Sequence, residues 1–122
     1  MIKTNALILA GGLGTRVSHI FNDIPKPLFP VNKKPFLGWV FDWLINQNIF
    51  RIIVTTSHLS EKIISYLLEN YRKKVEIIFV NEEDPLGTGG AIINSLNKIS
   101  SERFLVFNAD TLCLADLTAF IN

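Results

Sequence analysis

A single cysteine in 122 residues excludes an internal disulfide. Cys113 also has no second cysteine and no close histidine with which to build a zinc site, so it reads as a small buried apolar side chain. Long apolar runs are missing: the longest near the amino end, Ala6 to Ala10, falls far short of the roughly 20 residues that a membrane span requires. Lys3 is followed by neither an apolar h-region nor a small-residue cleavage site, which argues against a secretory signal and makes the cytoplasm the expected compartment. Charge of one sign is scarce too. Twelve Lys and Arg stand against eleven Asp and Glu, a net charge of +1, which excludes a strongly basic nucleic-acid binder. No internal repeat, low-complexity tract or linker interrupts the chain, and its length suits one core rather than two.

What the sequence does contain is apolar. Hydrophobic residues make up 48% and charged residues 19%, with a mean hydropathy of +0.30, high for a chain that keeps itself in solution. The few charges are unevenly placed. Residues 1 to 34 hold Lys3, Arg16, Lys26, Lys33 and Lys34 against Asp23 alone, net +4, leaving the rest at −3. A field of this kind favours an anionic ligand, and it is also compatible with a solvated face.

Four short β-branched runs, Asn5 to Ala10, Arg51 to Thr56, Val75 to Val80 and Arg103 to Asn108, read as buried strands. Helical patterns separate them. Pro35 suits the first position of a helix whose apolar face is Phe36, Val40, Phe41, Trp43 and Leu44 and whose end lies near Asn48. Ser60 could cap a second helix, in which Ile63, Ile64, Leu67, Leu68 and Tyr71 recur at helical spacing and Arg72, Lys73 and Lys74 suit the end. A third helix is expected to begin within the glycines at 87 to 90 and to run to about Ile99. The order β-α-β-α-β-α-β predicts an α/β fold with a parallel sheet and helices on both faces. Ligands of such sheets bind at the carboxyl ends of the strands. That rule selects residues 11 to 16, 57 and 58, 81 to 90, and 109 to 111.

The first of these stretches follows a strand with Gly11-Gly12-Leu13-Gly14-Thr15-Arg16. Glycines there let backbone N–H groups converge on a phosphate. The Walker pattern is absent, since no Lys followed by Ser or Thr stands at the required offset. The dinucleotide fingerprint fails at Val17, where its third glycine belongs, and the second strand ends in Thr55, Thr56, Ser57 and His58 without a ribose-binding carboxylate. Ten residues after Arg16, Lys26 lies between Pro25 and Pro27, and a residue before proline is expected to be held extended. Alone, Pro-Lys-Pro reads as an ordinary turn.

Together, LAGGLGTRV at 9 to 17, DIPKPLFPVNKKPFL at 23 to 37, EDPLGTGGAI at 83 to 92 and FNADT at 107 to 111 resemble the signature of the sugar-1-phosphate nucleotidyltransferases. The second and third pieces are most similar to the D-glycero-D-manno-heptose 1-phosphate guanylyltransferases, within a group that includes mannose-1-phosphate guanylyltransferases. The resemblance implies a Rossmann-like three-layer sandwich with a mainly parallel sheet, the nucleotide-diphospho-sugar transferase fold, of which residues 1–122 are the nucleotide-binding part. It also implies a reaction in which a sugar 1-phosphate oxygen attacks the α-phosphorus of a nucleoside triphosphate and pyrophosphate leaves. Such chemistry depends on phosphates held in line and on cations already in place.

Carried over residue by residue, Gly11, Gly12 and Gly14 would let main-chain N–H groups approach the triphosphate and base, with Leu9, Ala10 and Thr15 also in the nucleotide-binding set. Arg16 would grip the outer phosphates with its planar fork, and Lys26 would sit by the α-phosphate. Asp110 would hold Mg²⁺, its alternative reading being a cap for a helix over Leu112 to Phe120. Gly87, Thr88 and Gly90 resemble the family's base-binding loop, and Glu82 matches a position that reads the base edge. A carboxylate there could accept from the N1–H and N2–H₂ of guanine, which leans the nucleotide towards GTP. Glu83 and Asp84 read equally as an exposed acidic turn, and His58 as a surface or capping residue with no assigned role. Ala109 stands where many relatives have glycine, which would narrow the space beside the ribose.

Members of this family are considerably longer than 122 residues. The carboxyl-terminal part that would complete the sheet, bind the sugar phosphate and supply a second acidic metal ligand is expected to be missing. Self-association or a completing carboxyl-terminal segment would then finish the core, and the chain alone would bind nucleotide weakly and transfer nothing. A non-catalytic nucleotide-sensing domain of the same fold is the alternative, disfavoured because a sensor need not retain Arg16, Lys26 and Asp110 together. No membrane and no nucleic acid are expected as partners.

Overall fold

A computed structural model describes residues 4–11, 24–57, 60–82 and 86–109. Its main sheet has four strands, β1 (Asn5–Leu9), β4 (Arg51–Thr56), β5 (Glu76–Asn81) and β6 (Phe104–Asn108), in the order β5-β4-β1-β6. Every pairing is parallel. All five residues of β1 are buried, as befits a strand that is apolar from Ala6 onward with a neighbour on each side and helices above and below. The chain winds outward from β1 to β4 to β5, then crosses back to place β6 on the far side of β1.

Helices α1 (Phe36–Asn46), α2 (Ser60–Tyr71) and α3 (Gly87–Ser95) provide the crossovers. The period-2 alternation of the strands divides the core between the two faces. Ala6, Ile8, Ile52 and Val54 pack with Leu37, Val40, Phe41 and Leu44 of α1 and Ile63, Leu67 and Tyr71 of α2. Leu7, Leu9 and Ile53 point the other way and pack with Ala91 of α3. Apolar burial on both faces is what drives the three layers together.

The four expected strands and the three helices expected between them are present, with shifted ends. The first strand stops at Leu9 instead of Ala10, β5 runs one residue later at both ends, and β6 begins at Phe104. The third helix leaves α geometry after Ser95 and finishes as a 3₁₀ turn over Leu96–Lys98. Arg72, Lys73 and Lys74 follow the end of α2 without entering it, and the side chain of Ser60 lies outside those described, as does the expected helix at 112–120.

Pro35 is not the first helical residue. It closes a small antiparallel hairpin, β2 (Pro30–Val31) with β3 (Lys34–Pro35), in the register Pro30↔Pro35 and Val31↔Lys34. Asn32 and Lys33 form the two-residue loop with φ of 49° and 65°, the sign pair that a type I′ turn requires. The hairpin is strapped to α1 by the Trp39 indole N–H, which donates to the Val31 carbonyl at 2.9 Å, and by the Lys34–Asp42 ion pair. The Asp42 carboxylate also accepts the Tyr71 hydroxyl at 2.9 Å, joining α1 to α2. Burial, with Tyr66 beside it, pushes the Tyr71 phenol above its ordinary value.

At its other end α1 stops in a Schellman motif. Ile49 N–H reaches Leu44 O and Asn48 N–H reaches Ile45 O, each at 3.0 Å. Asn48 takes the left-handed conformation at φ 63°, and Ile49 and Leu44 are buried in the same cluster, the apolar contact that accompanies this cap.

Candidate nucleotide-binding edge

Because the four strands are parallel, their carboxyl ends share one edge. The last rungs are Leu9↔Thr55 and Leu9↔Asn108 on β1 and Thr56↔Asn81 between β4 and β5. The segments leaving β1 and β6 depart from adjacent strands and belong to opposite windings of the chain. A crevice opens at such a switch point in an α/β sheet.

The exits are pinned by named bonds. Ala10 and Gly11 both donate their N–H groups to the Thr55 hydroxyl, at 3.0 and 3.2 Å. Ala109 N–H donates to Leu9 O at 3.2 Å from the β6 side, and Glu82 N–H donates to Thr56 O at 2.7 Å. Thr55 is 1% exposed and Glu82 5%. A carboxylate at the end of β5 is therefore held almost out of water, and its Oε1 has no hydrogen-bond partner among the described residues. Buried acceptors of that kind are rare because desolvation without a donor is costly, so a donor arriving from a ligand would be strongly favoured there.

Gly11 explains how the carboxylate fits. A Cβ at that position would lie 3.1 Å from Glu82 Cδ and Oε2 and 3.3 Å from Oε1, closer than a side chain is tolerated without displacing its neighbour. The expectation that Gly11 turns its own N–H to a triphosphate changes accordingly, since that donor is committed to Thr55. Ala109 is fully buried within the α1/α2 core, so its methyl is a packing contact.

The third segment at this edge is the start of α3. Gly87 has φ +72°, a left-handed entry that favours glycine, and Leu86, the cap residue, makes no side-chain cap bond. The first-turn N–H groups have no helical acceptor and receive no cap from the Leu86 side chain, and they carry the positive end of the helix dipole. Gly87 and Gly89 have open space where a Cβ would stand, whereas at Gly90 that space is filled by Leu86 Cβ, 2.9 Å away. Thr88 is exposed on the same turn.

Of the residues singled out by sequence, Leu9, Ala10, Gly11 and Glu82 meet at this edge, and Gly87, Thr88 and Gly90 form the first turn of α3 on the segment that follows Glu82. Gly12, Gly14, Thr15, Arg16 and Asp110 lie outside the described residues, with His58, Glu83, Asp84 and Cys113. Lys26 is described in its backbone alone. It opens a 3₁₀ turn, Lys26–Leu28, closed by Leu28 N–H to Pro25 O at 2.8 Å, so the extended conformation expected before Pro27 is not adopted. Burial of both prolines and packing of the turn on α1 outweigh the local preference. Among the described residues no three His, Cys, Asp or Glu gather as a metal site, and no helix is long and apolar enough to cross a membrane.

Sequence reasoning noticed Thr55 only as a position lacking a carboxylate. Its role depends on which strand lies beside β1, and the strand order supplies that information.

Residues 5–122 match the family model described as nucleotidyl transferase. The chain belongs to the nucleotidyl transferase family. Among curated members, the D-glycero-alpha-D-manno-heptose 1-phosphate guanylyltransferase of Campylobacter jejuni is 42% identical over 113 residues, 93% of this chain and 50% of that relative. The protein of the same name from Aneurinibacillus thermoaerophilus is 40% identical over 112 residues, 92% of this chain and 48% of the relative. Crystal structures of HddC from Yersinia pseudotuberculosis, alone and complexed with GMP-PN, superpose with TM-scores of 0.86 and 0.85 at 40% identity, covering 99% of this chain and 53% of that one. The nucleotidyl transferase architecture is thus the Rossmann-like one expected, and the chain spans about half the length of the relatives it matches.

Proposed function

We propose that this chain is the nucleotide-binding part of a guanylyltransferase that transfers a nucleotide from GTP to a sugar 1-phosphate in the cytoplasm, releasing pyrophosphate. One observation carries the choice of base: the buried Glu82 oxygen beside Gly11, without a partner among the described residues. Guanine presents two adjacent donors, N1–H and N2–H₂, to a carboxylate, whereas uracil and thymine offer a single ring donor. The similarity to heptose 1-phosphate guanylyltransferases and to a structure bound to GMP-PN supports the same base.

In this reading Arg16 and Lys26 neutralise the phosphates, and the first turn of α3 faces the base with its N–H groups. The bond from Ala109 to Leu9 brings the end of β6 to the root of the glycine-rich segment. The next residue in the sequence, Asp110, is the one to which we assign Mg²⁺, an ion that prefers carboxylate oxygen. When bound, Mg²⁺ would offset charge on the phosphate oxygens.

The test is a thermal-shift series with GTP, CTP, UTP, dTTP and NADH, each with and without Mg²⁺. Magnesium-dependent stabilisation greatest with GTP is expected. Stabilisation by NADH alone would overturn the proposal.

A further inference from the structure

We infer that Thr55 is a positioning residue for the nucleotide site, its buried hydroxyl fixing where the glycine-rich segment leaves β1 and so the clearance that holds the Glu82 carboxylate. The inference rests on the function proposed above and adds to it a residue that touches neither phosphate nor base.

Three features support it. First, one oxygen accepts two consecutive backbone N–H groups, those of Ala10 and Gly11, at 3.0 and 3.2 Å. A hydroxyl has the two lone pairs this needs, and valine of the same shape has none. Second, these donors lie beyond the last rung of the ladder, Leu9↔Thr55. The side chain therefore continues, for two more residues, the attachment that the β4 backbone provides up to Leu9. Third, Gly11 is the residue whose missing Cβ leaves room for Glu82, with 3.1 Å between the notional Cβ and the carboxylate. A shift of a few tenths of an ångström at Gly11 would change that clearance, and Thr55 is the side chain bonded to Gly11 N–H. The Glu82 backbone is bonded to the next residue of the same strand, through its N–H to Thr56 O at 2.7 Å. Two adjacent residues of β4 thus set the spacing between the glycine exit and the carboxylate.

The experiment compares the 122-residue chain with Thr55→Val and Thr55→Ser, using amide hydrogen exchange by NMR and calorimetric titration with GTP, CTP, UTP and dTTP. In Thr55→Val the Ala10 and Gly11 amides are expected to lose protection while Ile52 to Val54 keep theirs. Affinity for GTP should fall about tenfold, the scale of one or two lost buried hydrogen bonds. Thr55→Ser restores the oxygen and should restore both readouts. Unchanged protection of Ala10 and Gly11 in Thr55→Val, or lost protection with unchanged affinity, overturns the positioning role. If Thr55→Val does not fold, the parent chain decides: slow exchange of Ala10 and Gly11, comparable with β4, supports the role, and fast exchange of both removes it. Preference for a triphosphate other than GTP would sink the choice of base while leaving Thr55 to be judged with that ligand; binding of none would end both.

Discussion

Gly11 and Glu82 are separated by more than seventy positions in the chain, yet neither can be changed without consequence for the other. Gly11→Ala places a methyl 3.1 Å from the carboxylate, so Glu82 must move, and we expect GTP affinity to drop several-fold with little loss of thermal stability; calorimetry of this variant beside its parent checks both. Glu82→Gln keeps the shape and replaces one acceptor oxygen by a donor. A hydrogen bond to a charged group is worth about 1.5–3 kcal/mol, so preference for GTP over UTP should fall roughly 10- to 100-fold, and an unaltered ratio in competition titrations would count against base reading at this residue. The place of Gly11 at the carboxyl edge of the sheet was legible from the apolar strand before it. The partner of its N–H was not, because that bond depends on a hydroxyl that only strand order brings alongside.

Elements were more legible where they are long. Four runs of β-branched residues and three apolar faces at helical spacing identify the sheet and its crossovers, since periodicity sustained over several residues averages out local exceptions. The β2–β3 hairpin escaped notice because two-residue strands have no period to detect, and its turn contains Asn32-Lys33 without the usual glycine. That turn invites a test. Lys33→Gly relieves a left-handed conformation that costs an L-residue about 1 kcal/mol, and should raise the urea midpoint; Asn48→Ala at the end of α1 should lower it by a similar free energy. Across α1 and α2, the Tyr71 phenol is held neutral by burial, with Tyr66 adding to the effect. A folded-state value above the unfolded one, near 10, means the contribution is whole below that pH and declines as pH rises beyond it. Denaturation midpoints measured above pH 10 should therefore fall less steeply in Tyr71→Phe than in the parent.

At the scale of the molecule the two faces of the sheet are unequal. One is covered by α1 and α2 over a large core, and the other by α3 over a small one. Ile93 is 70% exposed on α3, and Val106 is 39% exposed on β6, the edge strand next to β1. The chain also spans about half of its relatives. With GTP, Mg²⁺ and a series of sugar 1-phosphates, we expect these 122 residues to release no pyrophosphate above background; sustained turnover in a coupled assay would contradict that expectation.

The central strand has another implication. The end of β1 is gripped on both flanks, by the Thr55 hydroxyl of β4 through Ala10 and Gly11 and by the Ala109 N–H after β6 through Leu9 O. The backbone therefore leaves β1 at Gly11 from a strand held on both sides, like a cantilever bolted into a wall. Heating should not detach that anchorage before the whole sheet melts, so capacity for nucleotide and cooperative fold ought to vanish at one temperature.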